Sequence, residues 1–192
     1  MGELTGFEAV TGDVQVLGPS RVELRAAELG ADRRPACALA ITTKHVSRAS
    51  AGCQLKVKTI LKELMPGVPD AGLQVAFCYS RNPRVDVYPL LYFCLPFGSR
   101  SLQVGKVPGP SPRERQIEQI IPIKTRWQQS LVWDFAFERV AEGDQEVVTV
   151  AVDVGGHWAG TWVTDDLPVA FAPYAVGSHV EYQLIDFGAV RR

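Results

Sequence analysis

The chain is dominated by segments in which large apolar side chains occupy every second position. The clearest of them is residues 131–138, with the sequence LVWDFAFE. A period of two is that of a β-strand, because successive side chains of a strand point to opposite faces of the sheet. The same period recurs in residues 73–80, 147–154 and 179–187. The pattern therefore predicts an antiparallel sheet protein.

Turn-forming residues divide the chain into short strands. Thirteen prolines and seventeen glycines supply the turns that many short strands need. Residues 130–140 and 146–154, separated by a polar segment, are typical of a β-hairpin. With about eight strands and a long last strand, the chain is predicted to be all-β, with two antiparallel sheets in a sandwich of jelly-roll type.

One short helix is predicted near residues 112–120, as a connector between the sheets. Ser111 is a good N-cap residue, Pro112 suits the first helical position, and Glu114 can reach back to the N-cap backbone. Pro122 would end this helix after about two turns.

Two other segments fit more than one structure. Residues 20–29 carry a capping box and are followed by Gly30, as in a helix, but their alternation favours a strand. Residues 85–97 are apolar yet contain Pro89 and Pro96, which predicts a bulged or edge strand rather than a continuous central one.

Composition and charge fit a single globular domain spanning residues 1–192. Hydrophobic residues make up 46% of the chain and charged residues 21%, which is ordinary globular usage. The formal net charge of -1 provides no overall basic field to attract nucleic acid or an anionic membrane. Neither a signal peptide nor a transmembrane segment is recognised, so we expect a soluble protein made in a cytosol.

Cysteine and histidine spacing gives no sign of a metal site. The four cysteines are Cys37, Cys53, Cys78 and Cys94. None forms a C-x-x-C pair and each lies in an apolar stretch, so we predict buried reduced thiols rather than disulfides. The three histidines are His45, His157 and His179. They lie far from the cysteines in sequence, which disfavours zinc, and no cofactor is expected.

Carboxylates and an imidazole gather near a glycine-rich segment, as Asp153, His157, Asp165 and Asp166. A facing carboxylate and imidazole could perform acid–base catalysis, but no nucleophile motif accompanies them. Turns also collect Gly, Asp and His for backbone reasons, and the two adjacent aspartates lack the spaced oxygens of a calcium loop. We therefore predict a protein that is not an enzyme.

Tryptophans are the strongest candidates for binding residues. Trp158 and Trp162 follow two glycines and are predicted to lie in a loop together with His157. Exposed aromatic rings in such a place can stack on sugars or bases, or anchor a protein interface. The alternative is that the indoles plug the end of the sandwich. Trp127, on a separate segment, is a further candidate for stacking on a sugar.

A local contact with RNA is a weaker hypothesis. Lys124 and Arg126 flank Trp127 with cations and amides, the minimal ingredients of a contact with single-stranded nucleic acid. Two cations after a proline are more often part of a solvated connector.

Two segments carry a family resemblance. Residues 72–80, GLQVAFCYS, with Pro83 after them, are similar to a strand of the form G-x-V-x-M/F-x-Y. Residues 177–186, GSHVEYQLID, resemble a last strand of the form G-x-x-x-V-E-Y-x-V/L-x-L. Both forms occur in the jelly-roll shell domain of coat proteins from small icosahedral RNA viruses, and related virion and movement proteins share that ancestry.

The resemblance implies a structural protein that self-assembles, with copies of itself or virion proteins as partners, in a virion or the host cytoplasm. Such coat proteins usually carry a basic arm, but residues 1–30 contain five acidic residues against Arg21 and Arg25. Packaging of RNA through an arm is therefore not expected. The leading hypothesis is a viral capsid or other virion component. The alternative is a lectin-like, carbohydrate-binding sandwich that uses Trp158 and Trp162.

Overall fold

The computed structural model of the protein describes residues 6–68, 71–83, 85–109, 115–164 and 166–190. Within these residues the chain forms fourteen strands and no helix. The first seven are β1 (Phe7–Thr11), β2 (Asp13–Gly18), β3 (Arg21–Arg25), β4 (Cys37–Thr42), β5 (Gly52–Leu64), β6 (Gly72–Cys78) and β7 (Leu90–Pro96). The others are β8 (Ser101–Val107), β9 (Gln116–Pro122), β10 (Ser130–Glu142), β11 (Gln145–Val154), β12 (His157–Thr164), β13 (Ala170–Val176) and β14 (Ser178–Ala189).

The strands form two antiparallel sheets of seven strands each. Sheet 1 has the order β1-β4-β13-β6-β7-β8-β9, and sheet 2 has the order β12-β11-β10-β5-β14-β3-β2. The predicted all-β, two-sheet sandwich is confirmed, although it has more strands than expected.

One side of the sandwich is closed by the chain itself. Gly12 joins β1, at one edge of sheet 1, to β2, at one edge of sheet 2. Its φ is 76°, and a Cβ added there would lie only 2.1 Å from the carbonyl oxygen of Cys37, so that only glycine fits. In the described part of the chain the other two edges, β9 and β12, have no such link between them, and the opposite side is open.

The inner faces of the two sheets form an aromatic core. The alternation along β10 places Trp133, Phe135 and Phe137 inward, and all three are fully buried. Phe135 and Phe137 contact Phe77 of sheet 1, and Phe135 also contacts Phe93, so these rings join the two sheets. Burial of apolar surface is the main force that stabilises such a sandwich.

A second apolar cluster lies on the outer face of sheet 1, and the alternating pattern does not predict it. Tyr92, Tyr174 and Cys78 belong to this cluster and are fully buried. Strands β6 and β13 are consequently buried on both faces, and β13 has no charged residue and β6 only the buried Gln74 as a polar one.

The cysteines are free thiols. Cys53, Cys78 and Cys94 are buried and Cys37 is half-buried, in agreement with the prediction of buried thiols. Burial raises the pKa of the Cys53 thiol to about 12 and that of Cys78 to about 11. Both therefore remain protonated and unreactive at neutral pH.

The prediction of a helix near residues 112–120 is wrong for the residues that the structure describes. Gln116–Pro122 is strand β9, paired with β8, while residues 112–114 lie outside the described part of the chain. Ile117, Ile120 and Ile121 are β-branched and favour a strand, and pairing along β8 outweighs the capping signals.

The strand pairing also decides the structure of the two segments that fitted more than one prediction. Residues 20–29 include a strand, β3, as their alternation indicates. β7 is a central strand between β6 and β8, so the prediction of an edge or bulged strand is wrong. Pro89 precedes β7 and Pro96 is its last residue, so neither interrupts the ladder. Within the described ranges, no helix is long and apolar enough to cross a membrane.

Candidate functional site

A cleft of about 550 Å³ opens on the side of the sandwich where the edges β9 and β12 are free. Residues from β7, β8, β9, β12 and three connecting segments line it. Its polar lining includes Arg48, Lys106, Glu118, Gln119, Thr161 and Thr164. A cleft of this size lies within the range of ~300–1,000 Å³ that is usual for small-molecule sites.

Trp162 lies in this cleft and connects the two sheets. It is only 7% exposed, and its ring packs edge-to-face on Phe93, with 5.4 Å between the centroids. Its Nε1 donates a hydrogen bond of 2.7 Å to Oε1 of Gln119 on β9. Gly160, two residues earlier on the same face, makes room for the indole, since a Cβ there would lie 3.0 Å from Cη2.

Trp158 and Trp162 lie on a strand, not in a loop as predicted. The turn before β12 consists of Gly155 and Gly156 alone, with φ values of 62° and 81° that permit a two-residue hairpin. A bulge at Ala159 then separates the two indoles, so that Trp158 lies opposite Asp153. Trp158 is 69% exposed and is not among the residues that line the cleft.

The other predicted binding residues also lie outside the cleft. His157 is exposed at the start of β12. Lys124 and Arg126 are exposed in the connector between β9 and β10. Trp127, which follows them, is half-buried and packs edge-to-face on Phe97, with 4.7 Å between the centroids. The structure therefore brings only Trp162, of the predicted set, into the cleft.

An ion cluster closes one end of the cleft. Asp166 accepts hydrogen bonds from Arg48 Nη1 at 2.9 Å and from Arg139 Nη2 at 2.6 Å. Burial alone would raise the pKa of Asp166, but the backbone N–H of Leu167 and the two arginines outweigh it and lower the pKa. The carboxylate is thus held ionised between two cations, which does not suit a proton donor.

The proposed acid–base residues do not converge. Asp153 faces Trp158, His157 is at the turn, and Asp166 belongs to the ion cluster. Asp165 lies outside the described residues. In the part of the chain that the structure describes, no group of three His, Cys, Asp or Glu side chains is placed to hold a metal ion.

No protein-family model matches the sequence, and no curated protein matches it. Solved structures do match. The legume lectin-like domain from Entamoeba histolytica has 12% identity and a TM-score of 0.55, covering 97% of this chain and 91% of that one. The exoplasmic/lumenal domain of VIP36, in its metal-free form, has 14% identity and a TM-score of 0.53, covering 98% of this chain and 86% of that one. The fold is that of a lectin-like β-sandwich.

The lectin-like sandwich also occurs in an enzyme. A prokaryotic β-1,3-1,4-glucanase (lichenase), derived from a mouse hindgut metagenome, has 10% identity and a TM-score of 0.56, covering 99% of this chain and 95% of that one. Identities this low establish the fold alone. The sandwich implied by the viral resemblance is therefore supported, whereas a viral coat protein is not shown.

Most of the residues that line the cleft have no signal in the sequence. Arg48, Lys106 and Gln119 come from three separate segments, and only the pairing of the strands brings them together. The alternation in β12 is the one local clue, because it places Trp162 on the buried face of the edge strand.

Proposed function

We propose that this protein binds carbohydrate in the cleft between β9 and β12. The observation that carries the proposal is the combination of the Trp162 indole with hydroxyl, amide and charged groups in one cleft. A sugar offers hydroxyls to such donors and acceptors and packs its C–H groups against an aromatic ring. The names of two neighbours in fold, a legume lectin-like domain and a glucanase, fit the same class of ligand.

Two ion pairs in the cleft each join one cation to one carboxylate. Arg48 is paired with Asp166 at 2.9 Å, and Lys106 is paired with Glu118 at 3.2 Å. Each pair holds its donors and acceptors in place while adding no net charge. The free edge of β12 adds backbone N–H and C=O groups that no neighbouring strand of the described chain uses.

We propose binding without catalysis. Hydrolysis of a glycosidic bond uses two carboxyl groups, one of which has a raised pKa and donates a proton. The pKa of Asp166 is lowered instead, and Glu118 is paired with a lysine. Incubation with oligosaccharides should therefore leave them intact, as checked by reducing-end release.

A variant that fills the cleft tests the proposal. Val163 is exposed and lines the cleft, so Val163→Arg should place a long side chain where the sugar would bind. We expect this variant to lose at least about tenfold in affinity for a glycan found by array screening, a change of about 1.4 kcal/mol in titration calorimetry.

Trp158→Ala is the matched control, since Trp158 lies on the same strand but outside the cleft. It should bind as the unaltered protein does. Loss of binding in Trp158→Ala with normal binding in Val163→Arg would move the site to the exposed tryptophan. Absence of binding to every glycan on the array would overturn the proposed function.

Self-association is the second candidate function, and the free edge of β9 favours it. Ile117 and Ile120 are exposed on this edge strand, and an uncovered edge is a template for pairing with another copy. If β9 mediates assembly, Ile120→Lys should convert an oligomer to a 21.0 kDa monomer in light scattering. Ile185→Lys, an exposed isoleucine on the central strand β14, should leave the oligomer intact. A monomeric unaltered protein would exclude this function.

A further inference from the structure

A second cavity, of about 600 Å³, lies next to the cleft and shares Arg48 with it. Ala49, Ser50, Arg139 and Glu146 are among the residues that line it. The proposed carbohydrate binding involves the residues of the cleft, and the charged residues of this cavity are not yet part of it.

The two arginines of the cavity are held in fixed positions. Arg139 donates to the backbone oxygens of Ser50 at 3.2 Å and Arg48 at 2.6 Å, and to Asp166 at 2.6 Å. Arg48 donates to Asp166 and to the backbone oxygen of Tyr79. One carboxylate thus orients two guanidinium groups, and this group of three carries one net positive charge.

Arg48 retains unused hydrogen-bonding capacity. Its side chain is 32% exposed, and it borders both the cleft and the second cavity. Its Nη1 and Nη2 each make one hydrogen bond, to Asp166 and to the backbone oxygen of Tyr79, whereas its Nε is buried. A guanidinium has five N–H donors, and the contacts of Arg48 do not use them all.

The remaining charge of the cavity is balanced by a loosely held side chain. Glu146 contacts Nη1 of Arg139 at 3.2 Å, and its side chain is 61% exposed. An exposed ion pair of this kind contributes little free energy. A ligand anion of similar size could therefore take the place of the Glu146 carboxylate beside Arg139.

We propose that the second cavity binds the anionic group of an acidic glycan, a carboxylate or a sulfate ester, while an adjoining sugar ring lies in the cleft. This inference rests on the proposed function and adds the charge of the ligand. Arg48 borders both spaces, so one ligand can occupy them together. Fixed guanidinium groups bind carboxylate and sulfate through paired, charge-assisted hydrogen bonds.

The test compares a neutral oligosaccharide with a uronate oligosaccharide and a sulfated one, all of equal length, by titration calorimetry. We expect the better of the two acidic ligands to bind at least about tenfold more tightly than the neutral one, the size of one charge-assisted hydrogen bond. The ranking of uronate and sulfate identifies the anion. The preference should weaken as salt is raised from about 0.05 to about 0.5 M.

Ala49→Glu is the decisive variant, because Ala49 is exposed, lines the cavity and packs in no core. The new carboxylate should remove the preference for acidic ligands and leave the affinity for the neutral one unchanged. Ala49→Gln, of the same size without the charge, should keep the preference. Glu146→Gln should raise the affinity for acidic ligands severalfold, because it removes the carboxylate that pairs with Arg139.

The two proposals fail in different ways. Equal affinity for neutral and acidic ligands, unchanged in Ala49→Glu, overturns the acidic-glycan inference and leaves carbohydrate binding intact. Absence of binding to all three oligosaccharides overturns both.

Discussion

Replacing Phe77 with alanine is expected to lower the free energy of unfolding by about 3–5 kcal/mol, the usual cost of removing a fully buried phenylalanine. Phe77 lies in β6, near the middle of sheet 1, and is completely buried. Its ring centroid is 4.9 Å from those of Phe135 and Phe137 on sheet 2, in edge-to-face geometry. It also contacts Phe93 at 6.2 Å and Phe171 at 6.3 Å.

The loss should lie at the upper end of that range because the surroundings cannot collapse into the cavity. The rings around Phe77 belong to paired strands of both sheets, and their backbones are fixed by ladders on each side. If the cavity stays open, the residues around it lose their van der Waals contacts with the ring. This loss adds to the transfer free energy of the ring itself.

Urea unfolding followed by tryptophan fluorescence measures this effect. The midpoint should fall while the m value stays constant, which indicates lower stability of an unchanged fold. Ile185→Ala is the control, since Ile185 is exposed on β14 and its replacement should cost less than about 1 kcal/mol. A loss below about 1 kcal/mol for Phe77→Ala would mean that the aromatic contacts do not hold the sheets together.

The sequence predicts the fold well where one face of a strand is exposed to solvent. β10 and β11 alternate along most of their length because their outer faces meet solvent, and their hairpin agrees with the pattern. The pattern does not predict β9, because its capping signals are local, whereas its pairing with β8 is a tertiary interaction. β6 and β13 are buried on both faces, so alternation is silent about the second cluster that covers sheet 1.

The candidate site is far less predictable, for geometric reasons. Whether a tryptophan of β12 enters the cleft or faces solvent depends on the bulge at Ala159, which changes the face of Trp158 relative to a regular strand. Arg48 reaches the cleft from the connector between β4 and β5, 118 residues away from its partner Asp166. No spacing rule connects positions that meet only through sheet topology.

Replacing Glu181 with glutamine should lower the free energy of unfolding at neutral pH by about 2 kcal/mol and leave it nearly unchanged in strong acid. Glu181 lies on the outer face of β14, and its side chain is only 5% exposed. It pairs with Arg21 at 2.6 Å and Lys62 at 2.9 Å, and accepts a hydrogen bond from Gln183 at 2.8 Å. Burial alone would raise its pKa, but these three partners outweigh burial and lower the pKa to about 2.

The sign of the pH dependence follows from this lowered pKa. Since the usual pKa of a glutamate is 4.5, the unfolded chain takes up the proton first as the solution is acidified. The contribution of Glu181 is therefore complete above pH 4.5 and is lost as the pH falls towards 2. Its full size would be roughly 3 kcal/mol, and we expect about 2 kcal/mol because Arg21 and Lys62 are half-exposed and screened by solvent.

Unfolding of the unaltered protein and Glu181→Gln should be measured in urea at intervals between about pH 7 and about pH 2. The two free energies should differ by about 2 kcal/mol at neutral pH and converge near pH 2, where the carboxyl group of the unaltered protein becomes protonated in the folded state as well. Comparing the two proteins at each pH cancels the contributions of Asp166 and other carboxylates.

Glu118→Gln, which breaks one exposed pair with Lys106, should change stability by less than about 0.5 kcal/mol. A gap between Glu181→Gln and the unaltered protein that stays constant down to about pH 2 would show that packing of the side chain, rather than its charge, stabilises this face of sheet 2.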